Sequence, residues 1–182
     1  MAREVVHTLP YRWSKIVWII TFSFFIVAVA IIGLMIATIV QGGVVGGIIG
    51  LIIALPIFIA IAAYCEGYSP QRLEVSESQI TILRRYNSVT ILRSTILAIE
   101  PLSAKDMRWT ANLGGCGGLF GYFGRFSNRR LGEFTMYATA MDNLYLITTA
   151  DSKKWVINCS EPDLLQKKVD ITLTFLNSFI TL

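Results

Sequence analysis

The amino-acid sequence predicts a two-helix transmembrane hairpin followed by a mainly-β domain that closes with an α-helix. Three observations carry this expectation. Residues 16–63 contain no charged side chain. Two apolar runs share that stretch, each long enough to cross a bilayer. Beyond residue 64 the pattern changes to short alternating segments rich in β-branched residues, the period of half-buried strands. The composition agrees: 54% of the 182 residues are hydrophobic and the mean hydropathy is +0.59, which is high for a water-soluble globule. The excess is gathered in one block, and every acidic residue except Glu4 follows it. The expected divisions are a cytoplasmic N-terminal segment (1–15), the transmembrane hairpin (16–63) and a cytoplasmic domain (64–182).

The first span runs from Ile16 to Val40 and the second from Val44 to Ala63, separated only by Gln41-Gly42-Gly43. A cleaved signal peptide has an apolar region of about 7–15 residues, too short to account for the first run and silent about the second. So tight a connection requires antiparallel helices with both chain ends on one side. Arg3, Arg12 and Lys15 precede the first span and Arg72 follows the second, whereas the turn carries no charge. The positive-inside rule then places both termini on the cytoplasmic side of the membrane. Tyr11, Trp13, Trp18, Tyr64 and Tyr68 suit an aromatic belt at the same interface. Neither span has an intramembrane ionisable group of the kind that marks ion or proton pathways, so the hairpin reads as an anchor.

Glycines recur at Gly42, Gly46 and Gly50, with Gly43 and Gly47 beside them. Small residues at four-residue spacing let helix backbones approach closely. They serve either to pack the hairpin on itself, with Ala30, Gly33 and Ala37 facing them, or to form a homo-oligomer or subunit contact.

In the domain, Arg72–Val75, Gln79–Arg84, Ser88–Arg93, Ile96–Ile99, Gly132–Thr139, Asn143–Thr149 and Lys154–Asn158 read as strands of an antiparallel sandwich or barrel. Ser160-Glu161-Pro162-Asp163 combines a capping serine, an early proline and an acid three residues later. Leu165, Val169, Leu173, Leu176 and Ile180 then lie along one helical face.

The glycine-aromatic segment 117–126 (GGLFGYFGRF), followed by 132–139 (GEFTMYAT) and 143–147 (NLYLI), is similar to a subfamily of bacterial pleckstrin-homology (PH) domain proteins. That resemblance extends over roughly 72–179 and implies a PH-like barrel capped by the C-terminal helix, without an established ligand. Eukaryotic PH domains hold phosphoinositides through a basic loop between early strands. The corresponding loop here, Val75-Ser76-Glu77-Ser78, contains no base, which argues against that mode.

No catalytic set emerges. The stretch Gly114-Gly115-Cys116-Gly117-Gly118 lacks the Lys-Ser/Thr of a phosphate-binding loop and does not open a helix after a parallel strand. Cys65, Cys116 and Cys159 are too scattered for a zinc site, and His7, the single histidine, precedes the membrane. No metal or cofactor is expected, and without a basic stripe neither is nucleic acid. The candidate contact surface is Phe120, Tyr122, Phe123, Arg125, Phe126, Arg129 and Arg130, because arginine beside aromatics suits an anionic membrane interface. Aromatic clusters most often pack in a core, which is the first expectation for these rings, ahead of lipid contact and then of a protein partner. The functional expectation is a non-enzymatic, membrane-anchored interaction module that binds a protein partner or anionic lipid. The alternative is an accessory or stabilising subunit of a larger membrane complex, docked through the hairpin glycines.

Overall fold

A computed structural model of the protein describes residues 5–166. Ser14 caps the first helix by accepting the Val17 N–H at 3.3 Å, and α1 runs over Lys15–Val40. A turn at Gln41–Gly43 reverses the chain into α2, Val44–Tyr68. Ser69 takes up an extended conformation immediately before Pro70, as the residue preceding proline favours, and ends the helix. Both helices are long and apolar enough to cross a membrane, and little of either is buried against protein. Such exposed rows of Ile, Leu, Val and Phe are stable in lipid and costly in water.

The hairpin closes on its own glycines. A Cβ at Gly47 would collide with Ile39 and the Met35 carbonyl, and one at Gly50 with the Met35 side chain, while Gly43 sits against the Thr38 carbonyl. Gly42 and Gly46 face open space. The glycine row therefore divides: Gly43, Gly47 and Gly50 serve the intramolecular contact, and Gly42 and Gly46 do not.

The rest of the described chain forms two sheets. The first has the order β1-β2-β3-β4, with β1 at His7–Pro10, β2 at Pro70–Val75, β3 at Gln79–Arg84 and β4 at Ser88–Leu92. The second has the order β5-β9-β10-β8-β7-β6. Its strands are β5 Ile96–Leu102, β6 Ala111–Gly117, β7 Tyr122–Asn128, β8 Gly132–Ala138, β9 Leu144–Thr149 and β10 Lys154–Asn158. The β-rich expectation holds, with two open sheets in place of a closed barrel. All pairings are antiparallel except β8 with β10, which is parallel.

Alternation along the second sheet feeds two cores. Phe123, Tyr137, Ile147 and Ile157 join Leu73, Ile80 and Ile82 of the first sheet, together with Leu165. Tyr122, Phe126, Phe134, Met136, Leu146 and Val156 point to the opposite face and pack around Val17 of α1. Neighbouring residues of one strand thus serve different cores, as the two-residue period dictates. The segment Ser103–Thr110 carries the chain from one edge strand, β5, to the other, β6, and lays Met107 on the second core.

The C-terminal helix begins as expected, with α3 at Pro162–Gln166. Arg93 holds it to the first sheet by donating to the Leu164, Leu165 and Ser76 carbonyls at 2.6, 3.0 and 2.9 Å. The further apolar positions Val169, Leu173, Leu176 and Ile180 lie outside the described residues. Two departures stand out. The N-terminal segment supplies a strand, β1, to the first sheet. The glycine-aromatic stretch, not among the strands expected from the sequence, forms the turn and second strand of the β6–β7 hairpin.

Gly115 and Gly124 lie opposite each other in that hairpin at φ +143° and +109°, and a Cβ on either would strike the partner strand's backbone. Gly124→Ala is expected to lower unfolding stability by about 2–4 kcal/mol, from left-handed strain and overpacking combined. Denaturant unfolding of the detergent-solubilised protein checks this, and a loss under about 1 kcal/mol would contradict so close a pairing.

Candidate functional site

The β6–β7 turn meets the base of both helices. Gly118 donates its N–H to the Gly121 carbonyl at 2.9 Å, and Phe120 between them has φ +59°. The Phe120 N–H donates to Thr21 Oγ1 of α1 at 3.1 Å, and its carbonyl accepts from Ser69 Oγ at the end of α2 at 2.6 Å. Both hydroxyl residues are buried. The two backbone polar groups of one residue are thereby held by one side chain from the base of each helix. Its ring packs edge-on against Trp13, centroids 5.6 Å apart, and against Phe25 at 6.3 Å. Trp13 in turn contacts Trp18, which stacks on Phe22.

Further contacts fix the same junction. Cys65 Sγ of α2 lies 3.5 Å from Cys116 Sγ of β6, and the Cys116 thiol donates to the Leu119 carbonyl at 3.1 Å. The β3–β4 turn closes on the end of α2: Tyr86 donates its N–H to the Gly67 carbonyl at 3.2 Å, and Arg85 pairs with Glu66. A side chain at Gly67 would overlap the Tyr86 ring. Arg84 lies over the rings of Tyr68 and Tyr137, 5.6 and 5.0 Å from their centroids, and donates to the Tyr137 hydroxyl at 3.3 Å. Burial raises the Tyr137 phenol pKa, and the Arg84 charge opposes that shift. On the α1 side, Ser14 N–H donates to the Thr139 carbonyl and Thr139 Oγ1 donates to the Arg12 carbonyl, at 3.0 and 2.8 Å.

A bilayer core takes about 20 helical residues, whereas α1 has 26 and α2 has 25. Counted from the turn, the surplus falls at Lys15–Ile20 and Tyr64–Tyr68. The buried residues Val17, Cys65 and Gly67 lie in these end segments, where the sheets pack.

The expected contact residues are not gathered on one surface. Tyr122, Phe123 and Phe126 are buried, so core packing decides their orientation. Phe120 is half-buried on the helices, and Arg125, Arg129 and Arg130 are exposed. Arg125 pairs with Glu133 across β7 and β8 at 3.0 Å. Arg129 and Arg130 occupy the β7–β8 turn, one seven-residue strand away from Phe120, which is about 20 Å at strand rise.

At that far end the sequence reading missed a cluster. Lys105, Asp106, Arg108, Trp109, Arg129 and Arg130 line an open cavity of about 590 Å³. Asn128, buried, builds its frame. Its amide donates to the Asp106 carbonyl at 2.9 Å and to Thr110 Oγ1 at 3.2 Å. Its Oδ1 accepts the N–H groups of Arg130 and Leu131 at 3.1 and 2.7 Å. Asp106 accepts from the Ser103 N–H and hydroxyl at 2.8 and 2.9 Å and pairs with Arg130. Trp109 is 87% exposed at φ +57°, a conformation that is an outlier for a bulky residue. The only sequence signal was the neighbouring pair Arg108-Trp109, in a segment without strand or helix periodicity.

A second cavity, about 460 Å³, lies between β1, the β8–β9 turn and the start of α3, with Arg12, Asp142 and Glu161 of mixed sign in its wall. Burial, with Cys159 next, raises the pKa of Tyr11 in that wall well above its ordinary value, so the phenol stays neutral.

Comparison with protein families matches residues 71–171 to the family described as a bacterial PH domain. The chain belongs to that family. The match spans β2 through α3 and leaves β1 and the helical hairpin outside it. No curated relative and no solved structure shows significant similarity. The PH domain here therefore carries two additions: an N-terminal strand that widens its first sheet, and an apolar hairpin seated on its β6–β7 turn.

Thr21→Val keeps the shape of the Phe120 clamp and removes its acceptor. The cost expected is about 1–2 kcal/mol, the penalty for a buried N–H left unpaired. Hydrogen exchange at the Phe120 amide should quicken about tenfold. Unchanged protection would show that the turn is held by something other than the helices.

Proposed function

We propose that the protein is a membrane-anchored interaction module, its PH domain held rigidly at the inner face of a bacterial cytoplasmic membrane. The observation that carries this reading is the Phe120 clamp. Because Thr21 and Ser69 satisfy the N–H and the carbonyl of Phe120 from two helices, the domain is seated on the hairpin at a set height, not tethered by a linker. The division is then a hairpin of about 20 residues per span in lipid, with the helix ends and β1 belonging to the domain.

Orientation follows from charge. Arg12, Lys15 and Arg72 are exposed near the helix base, and the turn at Gln41–Gly43 is uncharged, the asymmetry that favours cytoplasmic termini. Trp13, Trp18, Tyr64 and Phe120 stand at the same level and suit the interface. PH domains are generally binding modules for proteins or lipids and not catalysts. Here the rings that suggested lipid contact are mostly committed to packing, which shifts the binding role to the exposed cations.

A second reading rests on Gly42 and Gly46, which face open space and permit another helix to approach closely. On that reading the protein is an accessory subunit docked through its hairpin.

Two measurements test these readings. A C-terminal green fluorescent reporter should fluoresce and a C-terminal alkaline phosphatase reporter should be silent; the reverse would overturn the orientation. Proteins co-purifying from gently solubilised membranes should be the same for wild type and Gly46→Leu. Their loss in the variant would favour the subunit reading.

A further inference from the structure

We infer that the cavity formed by Lys105, Arg108, Trp109 and Arg129 binds an acidic segment of a protein partner, on the side of the PH domain away from the bilayer. This rests on the reading of the protein as an interaction module and gives that module a site and a partner class.

The first argument is charge. Four cations and one carboxylate line the cavity. The carboxylate, Asp106, is committed: its side chain is only 11% exposed and it pairs with Arg130 while accepting twice from Ser103. Lys105, Arg108 and Arg129 are exposed, and none of them has an ion pair among the described residues. Three unneutralised cations around one concavity form a focused positive field.

The second argument is preorganisation. Asn128 uses both its amide N–H bonds and its oxygen to tie the Ser103–Thr110 segment to the β7–β8 turn. The segments bearing Lys105, Arg108 and Arg129 are thereby held in register before any ligand arrives, which lowers the ordering cost of binding.

Trp109 makes the third. Its indole is 87% exposed beside these cations, on backbone held in the left-handed region. Tryptophan and arginine are the side chains most enriched among residues that dominate binding energy at interfaces. An occupant that satisfies both kinds of group carries several carboxylates and an apolar side chain, as an acidic peptide segment does.

Position separates this cavity from the helix base. Arg129 lies beyond the end of β7 opposite the helix-docking turn, about 20 Å along the strand from Phe120. The cations near the helix base, Arg12, Lys15 and Arg72, are the ones placed for headgroups.

The test uses the full chain in nanodiscs of zwitterionic lipid and a fluorescein-labelled peptide of glutamate and aspartate with one leucine, followed by anisotropy. Wild type should bind, and Arg108→Ala with Arg129→Ala should weaken binding about tenfold or more, as loss of paired charges does. Trp109→Ala should weaken it about fivefold. Arg85→Ala with Lys153→Ala removes the same charge from cations that pair elsewhere and should leave affinity within about twofold. Absence of wild-type binding, or equal loss in both double variants, overturns the proposal. So does full competition by phosphatidylglycerol vesicles at matched charge, which would identify the cavity as a lipid site. Peptide binding is read in nanodiscs whichever way the chain is oriented in cells, so failure here is separable from failure of the orientation reporters.

Discussion

The backbone N–H and carbonyl of one residue, Phe120, organise the junction between the apolar helices and a β-sheet domain. The N–H and carbonyl of Phe120 are enclosed at the helix base, where a buried backbone group without a partner is costly. Thr21 supplies the acceptor and Ser69 the donor, one from each helix. That requirement accounts for several neighbouring features. Phe120 must enter the left-handed region to present both groups, and Gly118 and Gly121, themselves at positive φ, flank it. Gly121 must also stay small, since its Cβ position lies 3.0 Å from the Ala138 carbonyl and 3.2 Å from Ser69 Oγ. The helices extend past the length a bilayer needs, because Val17, Cys65 and Gly67 occupy positions inside the domain's packing.

The junction gives the PH domain two unlike ends. At the helix end, aromatic rings, Arg84 over two tyrosines and a set of backbone hydrogen bonds are consumed in holding the pieces together. At the far end, Asn128 spends its hydrogen-bonding capacity on shaping a corner whose cations face outward. The strands between them convert a fixed attachment into a fixed display. If the protein acts as the membrane-anchored module proposed above, such a seat would keep the displayed surface at a constant height and heading relative to the helices.

The hairpin shows a similar economy. Gly43, Gly47 and Gly50 let α2 lie against Met35, Thr38 and Ile39 of α1, and dispersion across so close a contact holds helices in lipid where no hydrophobic drive exists. Gly42 relieves the turn at φ +95°. Gly46 serves neither purpose within one chain.

Much of this architecture was legible in the sequence, and the reasons are physical. Uncharged apolar runs of bilayer length announce helices regardless of context, because transfer to lipid depends on composition and length. Strands such as Gln79–Arg84 and Lys154–Asn158 were readable because one face of each is buried and alternation records it. The sequence by itself therefore determined the hairpin, its three-residue turn, most strands, the start of α3 and the resemblance to PH domains. The β6 strand, Ala-Asn-Leu-Gly-Gly-Cys-Gly, was not legible: glycine carries no side chain to display a period, and its pairing with β7 comes from close backbone approach at Gly115 and Gly124. β1 was hidden because four residues show too little periodicity until β2, more than sixty positions away, accepts them as an edge. Which aromatics face inward, which glycines meet the other helix, and which arginines share a cavity with Trp109 were decided only by the tertiary structure. Each depends on what a distant segment places opposite the residue, and no local pattern encodes that.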